Sequence, residues 1–259
     1  SIANDVAKYF AILPAAFHDG DDFVDSRKLK ARIAVVSDLH FGQTNVDSEQ
    51  DLTNTITSLQ REKTAPGGLD HVVIVGDLVM EKPEKLASVR DAFASLGVPF
   101  HATPGNHDCA TEKVWHRTFG HGMNSEFTLG NGAVCILANS GKEGAPGYRM
   151  INADWLQARL AANMAAPAII LFTHAIPKKM FPWIPFDDTP AMTMLSHAAN
   201  LQITIVGDSH DSDNGQLING KYFFWTGRAG GDWGVRHCYR IIELDSPKTF
   251  YTYISDIRD

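Results

Sequence analysis

Five short stretches of this 259-residue chain carry side chains that bind metal ions or move protons. They read Ser37-Asp38-Leu39-His40, Gly76-Asp77, Gly105-Asn106-His107-Asp108, Thr173-His174 and Gly207-Asp208-Ser209-His210. Singly, each has an ordinary reading. An aspartate after a strand is commonly a cap or turn residue, Gly76-Asp77 a turn, Asn106 an Asx-turn, and His174 a satisfied polar residue at a core edge. Each stretch, however, follows directly on an apolar run. Repetition at the same end of successive strands is what the ordinary reading leaves unexplained. Several carboxylates on one rim would repel one another unless cations bound there, and two divalent ions would supply the charge.

The elements that must position these groups are short. Arg32–Val36, His71–Val75, Val98–Ala102, Ala168–Phe172 and Ile203–Val206 read as buried strands. Helices are expected over 2–13, Asp51–Leu59, Pro83–Leu96 (Pro near its first turn, Gly97 just past its end) and Asp154–Ala162. Strand, helix, strand, helix, strand implies right-handed crossovers and a parallel sheet. Such sheets bind ligands outside the carboxyl ends of their strands. Phe127–Leu129 and Ala133–Ala138 read as a hairpin, and the alternating Tyr222–Trp225, His237–Leu244 and Phe250–Ile254 as further strands. The reading is one α/β domain on two sheets, the second more antiparallel.

The order DxH, GD, GNHD, H, GxxH over Arg32 to His210 resembles the calcineurin-like metallophosphoesterase superfamily, with Gly105-Asn106-His107-Asp108 its most telling block. The resemblance implies a four-layer α-β-β-α sandwich over 31–259, with 1–30 as an N-terminal extension. It implies that Asp38, His40, Asp77 and His210 hold one metal, and that Asp77 bridges to a second held also by Asn106, His174 and the residue at 208. His107 would contact the scissile phosphate and protonate the leaving oxygen, Asn106 would share in substrate binding, and Asp108 would orient His107. The chain departs from the family at one ligand. Where Gly-His-x-His is usual it has Gly207-Asp208-Ser209-His210, so a carboxylate replaces an imidazole. Carboxylate oxygen also binds Mn, Fe and Zn, so Asp208 is kept as a ligand; the alternative is a turn residue beside a weakened site.

Two metal ions about 3.5–4 Å apart clamp a phosphoryl group and lower the pKa of water towards ~7, so no protein nucleophile is needed. The expected function is a dinuclear metal-dependent hydrolase of phosphate esters, with diesters slightly favoured, Mn or Fe as the expected ions and Zn as a further option. Two other readings compete: an iron-dependent redox enzyme exploiting the Asp208 ligand set, and a non-hydrolytic binding protein. The 175–196 segment, with Met180, Phe181, Trp183 and Phe186, reads equally as a substrate wall or a packing loop. Arg228 in the glycine-rich Thr226–Trp233 block could approach a phosphate or sit in a plain turn. Arg236 and His237 have no better claim, and Asp19–Asp25 reads as a solvated loop rather than a calcium loop.

Composition narrows the class. With 44% apolar residues and 20% charged, the chain is globular, and its net charge of −7 argues against extended nucleic-acid binding. No apolar window suggests a membrane span, and Ser1–Leu13 does not read as a signal peptide. Three widely spaced cysteines form no disulfide framework. A cytoplasmic protein acting on a small phosphoester is expected, with homo-oligomer formation left open.

Overall fold

In strand β1 (Ala31–Val36) every residue is buried, and successive side chains enter different cores. Ile33 and Val35 face one apolar cluster while Ala34 and Val36 face another. The same alternation recurs in β2 (His71–Val75), where Val73 and Val75 oppose Val72 and Ile74. It recurs again in β6 (Ile169–Thr173), where Ile170 and Phe172 oppose Ile169 and Leu171. Strands apolar on both faces must be covered on both faces, and three apolar clusters do this. The middle one lies between two sheets. The first outer cluster receives Leu52 and Leu59 of α1 (Ser48–Thr64), Val89 and Phe93 of α2 (Leu86–Ala94) and Trp115 of α3 (Glu112–Phe119). The other receives Leu156 of α4 (Ala153–Ala162) and Leu195 of α5 (Thr189–His197). The result is the expected four-layer α-β-β-α sandwich. The computed structural model describes residues 31–175, 189–210, 215–234 and 236–257. The 1–30 extension, with its expected helix and acidic stretch, and Met180, Phe181, Trp183 and Phe186 lie outside the described residues.

One sheet has the order β11-β10-β1-β2-β3, where β3 is Phe100–Thr103, β10 Cys238–Ser246 and β11 Thr249–Asp256. Strands β1, β2 and β3 are parallel; β10 runs antiparallel to β1, and β11 antiparallel to β10. The other is β4-β5-β6-β7-β9-β8, with β4 Ser125–Thr128, β5 Val134–Leu137, β7 Leu201–Val206, β8 Gly215–Ile218 and β9 Lys221–Trp225. Its inner pairs β5–β6, β6–β7 and β7–β9 are parallel, and only its edges are antiparallel. The second sheet is therefore not the more antiparallel one. The alternating C-terminal hairpin β10–β11 completes the first sheet instead, because strand alternation reports a two-faced environment without saying which sheet supplies it.

Helix α1 runs longer than expected at both ends; its earlier start follows from Asp47, which caps it by accepting from the Gln50 N–H at 3.0 Å. The expected Pro83–Leu96 helix is split into a 3-10 turn, Pro83–Lys85, and α2. Helix α3, capped by Thr111, was not foreseen. Part of the 175–196 segment is α5 rather than loop. No helix among the described residues is long and apolar enough to cross a membrane.

Where the edges of the two sheets meet, His101 of β3 stacks on Phe127 of β4, ring centroids 3.7 Å apart. The rings of His71 and His121 lie 5.6 and 6.3 Å from that of His101. Burial, with the neighbouring imidazoles His71 and His121, pushes the His101 pKa down to about 4. In the unfolded chain it returns to ~6.5, so below that pH the unfolded state binds more protons. The stability this site contributes is complete above pH 6.5 and is lost as pH falls through 4. After discounting for partial exposure, the loss is about 1–2 kcal/mol. His101→Phe should therefore flatten the urea-unfolding free energy between pH 6.5 and 4; an unchanged pH dependence would refute this account.

Candidate metal centre

All five ligand-bearing stretches leave the carboxyl ends of parallel strands: β1, β2 and β3 of one sheet, β6 and β7 of the other. The loops are tied together before any metal is considered. The Asp38 and His40 N–H groups donate to the carbonyls of Gly76 and Asp77, and the Gly207 N–H donates to His174 O. Across the two sheets, His174 Nδ1 lies 2.8 Å from Val75 O; within the first sheet, Ser37 Oγ donates to the same carbonyl at 2.6 Å. With Nδ1–H donated to that carbonyl, His174 presents Nε2 to the site. Asp38, His40, Asp77 and Asp208 all have left-handed backbone, with φ of 55°, 49°, 51° and 64°. Gly76 (φ +77°) is required for a different reason: a Cβ there would lie 2.4 Å from the His174 ring.

Asp77 sits between two donor sets. Its Oδ2 is 3.3 Å from both His40 Nε2 and His174 Nε2, while Oδ1 accepts from the His107 N–H at 2.8 Å. On one side, Asp38 Oδ1 lies 3.2 Å from His210 Nε2. On the other, His174 Nε2 lies 3.0 Å from Asn106 Oδ1 and 3.5 Å from Asp208 Oδ1. Asp38, His40 and His210 form one cluster able to hold an ion, and Asp38, Asp77 and His174 another. Asp38 Oδ1, Asp77 Oδ2 and His40 Nε2 are buried, and their contacts with one another and with His174 and His210 do not have hydrogen-bond geometry. Buried orphan atoms are costly unless something pairs with them. Cations meet that need, and the oxygen and imidazole donors suit Mn, Fe or Zn.

Burial alone would raise the aspartate pKa values, but the imidazoles overcome it. His174 and His40 hold Asp77 well below the ordinary carboxylate range, and His174 and His210 hold Asp38 below it. Conversely, burial would lower His174 and His210, yet Asp77 and Asp38 push the first well up and Asp38 raises the second. Protons and metal ions thus compete for the same nitrogen atoms, and metal binding must release protons.

One expectation needs correcting, and the open readings of Arg228, Arg236 and His237 are decided in favour of structural roles. Asp108 does not orient His107: its oxygens accept from the Val79 and Gly105 N–H groups at 3.0 and 2.7 Å, and burial, then Asp77, pushes its pKa up to about 7. The carboxylate beside the imidazole is Glu81, with Oε1 3.2 Å from His107 Nδ1 and its own N–H donated to His107 O. Arg228 does not approach the substrate space. Its buried guanidinium bonds the carbonyls of Gly230, Gly231 and Gly234, and so fixes the loop carrying Trp233. Arg236 pairs with Asp256 and His237 with Asp51, so neither reaches the site.

Two aromatic residues were missed as site residues. Trp233 packs over the site, its ring 4.9 Å from His40, 5.2 Å from His210 and 6.1 Å from His107. The Tyr148 hydroxyl donates to Asp208 Oδ1 at 2.7 Å. Both line a cleft of about 500 Å³ with Asp77, Asn106, His107, Asp208 and His210. Trp233 ended a block already noted for its glycines, whereas nothing in the sequence pointed to Tyr148.

A two-sheet sandwich whose strand ends converge Asp, His and Asn donors around one aspartate is the architecture of the metallophosphoesterase fold. The family comparison agrees: the chain belongs to the calcineurin-like phosphoesterases, whose sequence pattern matches residues 31–180. It is 27% identical over 157 residues to a 3',5'-cyclic-nucleotide phosphodiesterase of Nostoc sp., a match spanning 58% of each chain. Less than two thirds of that relative's length is therefore covered. In fold it resembles a dimetal phosphatase from Danio rerio, with TM-score 0.65 at 12% identity over 89% of this chain and all of that one. It also resembles a 5'-nucleotidase from Candida albicans, with TM-score 0.54 at 11% identity over 89% of this chain and 52% of that one.

Proposed function

We propose that this protein is a dinuclear phosphodiesterase using Mn or Fe, with Asp77 bridging an ion held by Asp38, His40 and His210 and one held by Asn106, His174 and Asp208. The observation that carries the reading is Asp77 Oδ2, equidistant from an imidazole of each set. When bound, such ions supply Lewis acidity towards the phosphoryl oxygens and acidify water. The chain's own groups do the rest. Asn106 faces the cleft, where its amide can hold a phosphoryl oxygen. His107 has Nδ1 against Glu81, so Nε2 is the atom that delivers a proton to the leaving oxygen. The preference for diesters rests on charge. Among the described residues lining the cleft there is no Lys or Arg, which suits a singly charged diester better than a monoester dianion. The similarity to a cyclic-nucleotide phosphodiesterase points the same way. Three free cysteines fit the cytoplasm as the site of action.

The test is metal analysis of protein purified without chelators, with kcat/KM measured on bis(p-nitrophenyl) phosphate and p-nitrophenyl phosphate. Diester turnover exceeding monoester turnover, with two ions per chain, is the expected result. Three carboxylates leave less positive charge on the pair than two would, so Asp208→His should tighten the second ion and raise hydrolysis. No p-nitrophenol release from either ester, together with oxygen consumption by the iron-loaded protein, would replace this reading with the redox one.

A further inference from the structure

The segment between β5 and α4 folds back as a small hairpin, in which Lys142 and Arg149 donate their N–H groups to Gly147 O and Ser140 O. It is seated tightly: a Cβ at Gly141 would lie 2.1 Å from the Gly105 carbonyl oxygen. Its contacts converge on one half of the metal centre. The Gly147 N–H donates to Asn106 O at 2.8 Å. The Ala175 N–H, next to His174, donates to Ser140 Oγ at 2.9 Å. The Tyr148 hydroxyl donates to Asp208 Oδ1 at 2.7 Å. One hairpin therefore touches Asn106 and Asp208 directly and His174 through its neighbour.

We propose that this hairpin is the clamp of the second metal position, and that Tyr148 is the positioning residue that makes an aspartate workable at 208. The inference rests on the reading of Asp208 as a ligand. An imidazole has one donor nitrogen available and a ring that packing can lock. A carboxylate has two oxygens, rotates more freely and carries a full negative charge. A phenol donating to Oδ1 holds the carboxylate rotamer, and by sharing its proton it draws charge from a cluster that already contains Asp38 and Asp77. Groups that orient metal ligands in this way typically change affinity 10–100-fold when removed.

The experiment is a Mn(II) titration of the full chain, followed by isothermal calorimetry and by the EPR signature of an exchange-coupled pair. In Tyr148→Phe the first ion should bind as in the parent, and the second about 10–100-fold more weakly. In an Asp208→His background the same Tyr148→Phe change should leave second-site affinity within about twofold, because an imidazole needs no such donor. Unchanged second-site affinity in Tyr148→Phe would overturn the proposal. So would an equal weakening in both backgrounds, which would make Tyr148 a packing residue. Asp208→Ala separates the two levels. If it keeps both ions at parent affinity, the ligand assignment itself fails. If it loses the second ion while Tyr148→Phe does not, only the role of Tyr148 fails.

Discussion

Asp77→Ala is expected to remove both metal ions and to lower turnover to less than about one-thousandth of the parent's, the scale on which electrostatic stabilisation of a transition state acts. One side chain has this reach because its two oxygens serve different tasks. Oδ2 lies between His40 and His174, and Oδ1 holds the His107 N–H and hence the turn carrying Asn106. Losing the carboxylate breaks both donor sets and leaves the half-buried His107 N–H without its acceptor. Asp77→Asn separates these effects, since an amide oxygen can still accept from His107 while its charge is gone. It should fold like the parent and still bind at most one ion. Two tightly bound ions in either variant, measured by inductively coupled plasma mass spectrometry, would show that Asp77 does not bridge.

His107→Ala should leave the metal content near two ions and lower kcat about 10²–10⁴-fold, the range of general acid catalysis. The loss should shrink for esters with good leaving groups, which need little protonation. Glu81→Gln should reproduce a fraction of the loss with the same leaving-group trend, because Glu81 acts only through Nδ1. Three outcomes are distinguishable in a leaving-group series. A uniform loss would mean that His107 positions phosphate rather than donating a proton. A lost ion would mean that it is a ligand, a role its proximity to His40 and Asp77 permits. A graded loss with both ions retained is the expected result.

The blocks around Asp38, Asp77, Asn106, His174 and His210 were legible because each closes an apolar strand, and a strand's end is visible in sequence. Asp208 was legible as a departure from a family pattern. Glu81 was not, since it stands four residues past Asp77 in a turn whose left-handed backbone (φ 55°) no local pattern announces. Tyr148 was hidden for a similar reason: it reaches Asp208 from a hairpin 60 residues away in sequence. Asp108 was misread because a carboxylate next to a histidine suggests a partner, whereas its oxygens serve the backbone of its own turn and of Val79. In the fold, the buried strands were readable from their apolar runs. The assignment of β10 and β11 to the first sheet was not, because both sheets offer the same two-faced environment.

The left-handed backbone at Asp38, His40, Asp77 and Asp208 has a thermodynamic consequence. For most residues with a Cβ this conformation costs about 1–2 kcal/mol, and less for aspartate and histidine, which adopt it more readily, so the four together still weigh on a net folding stability of order 5–15 kcal/mol. Glycine would adopt the same angles without that cost, and a chain shaped by stability alone would drift towards it at these positions. Keeping carboxylates and an imidazole there is a standing tax on the fold, sustained by what the side chains do. Ions bound by those four side chains would offset that cost.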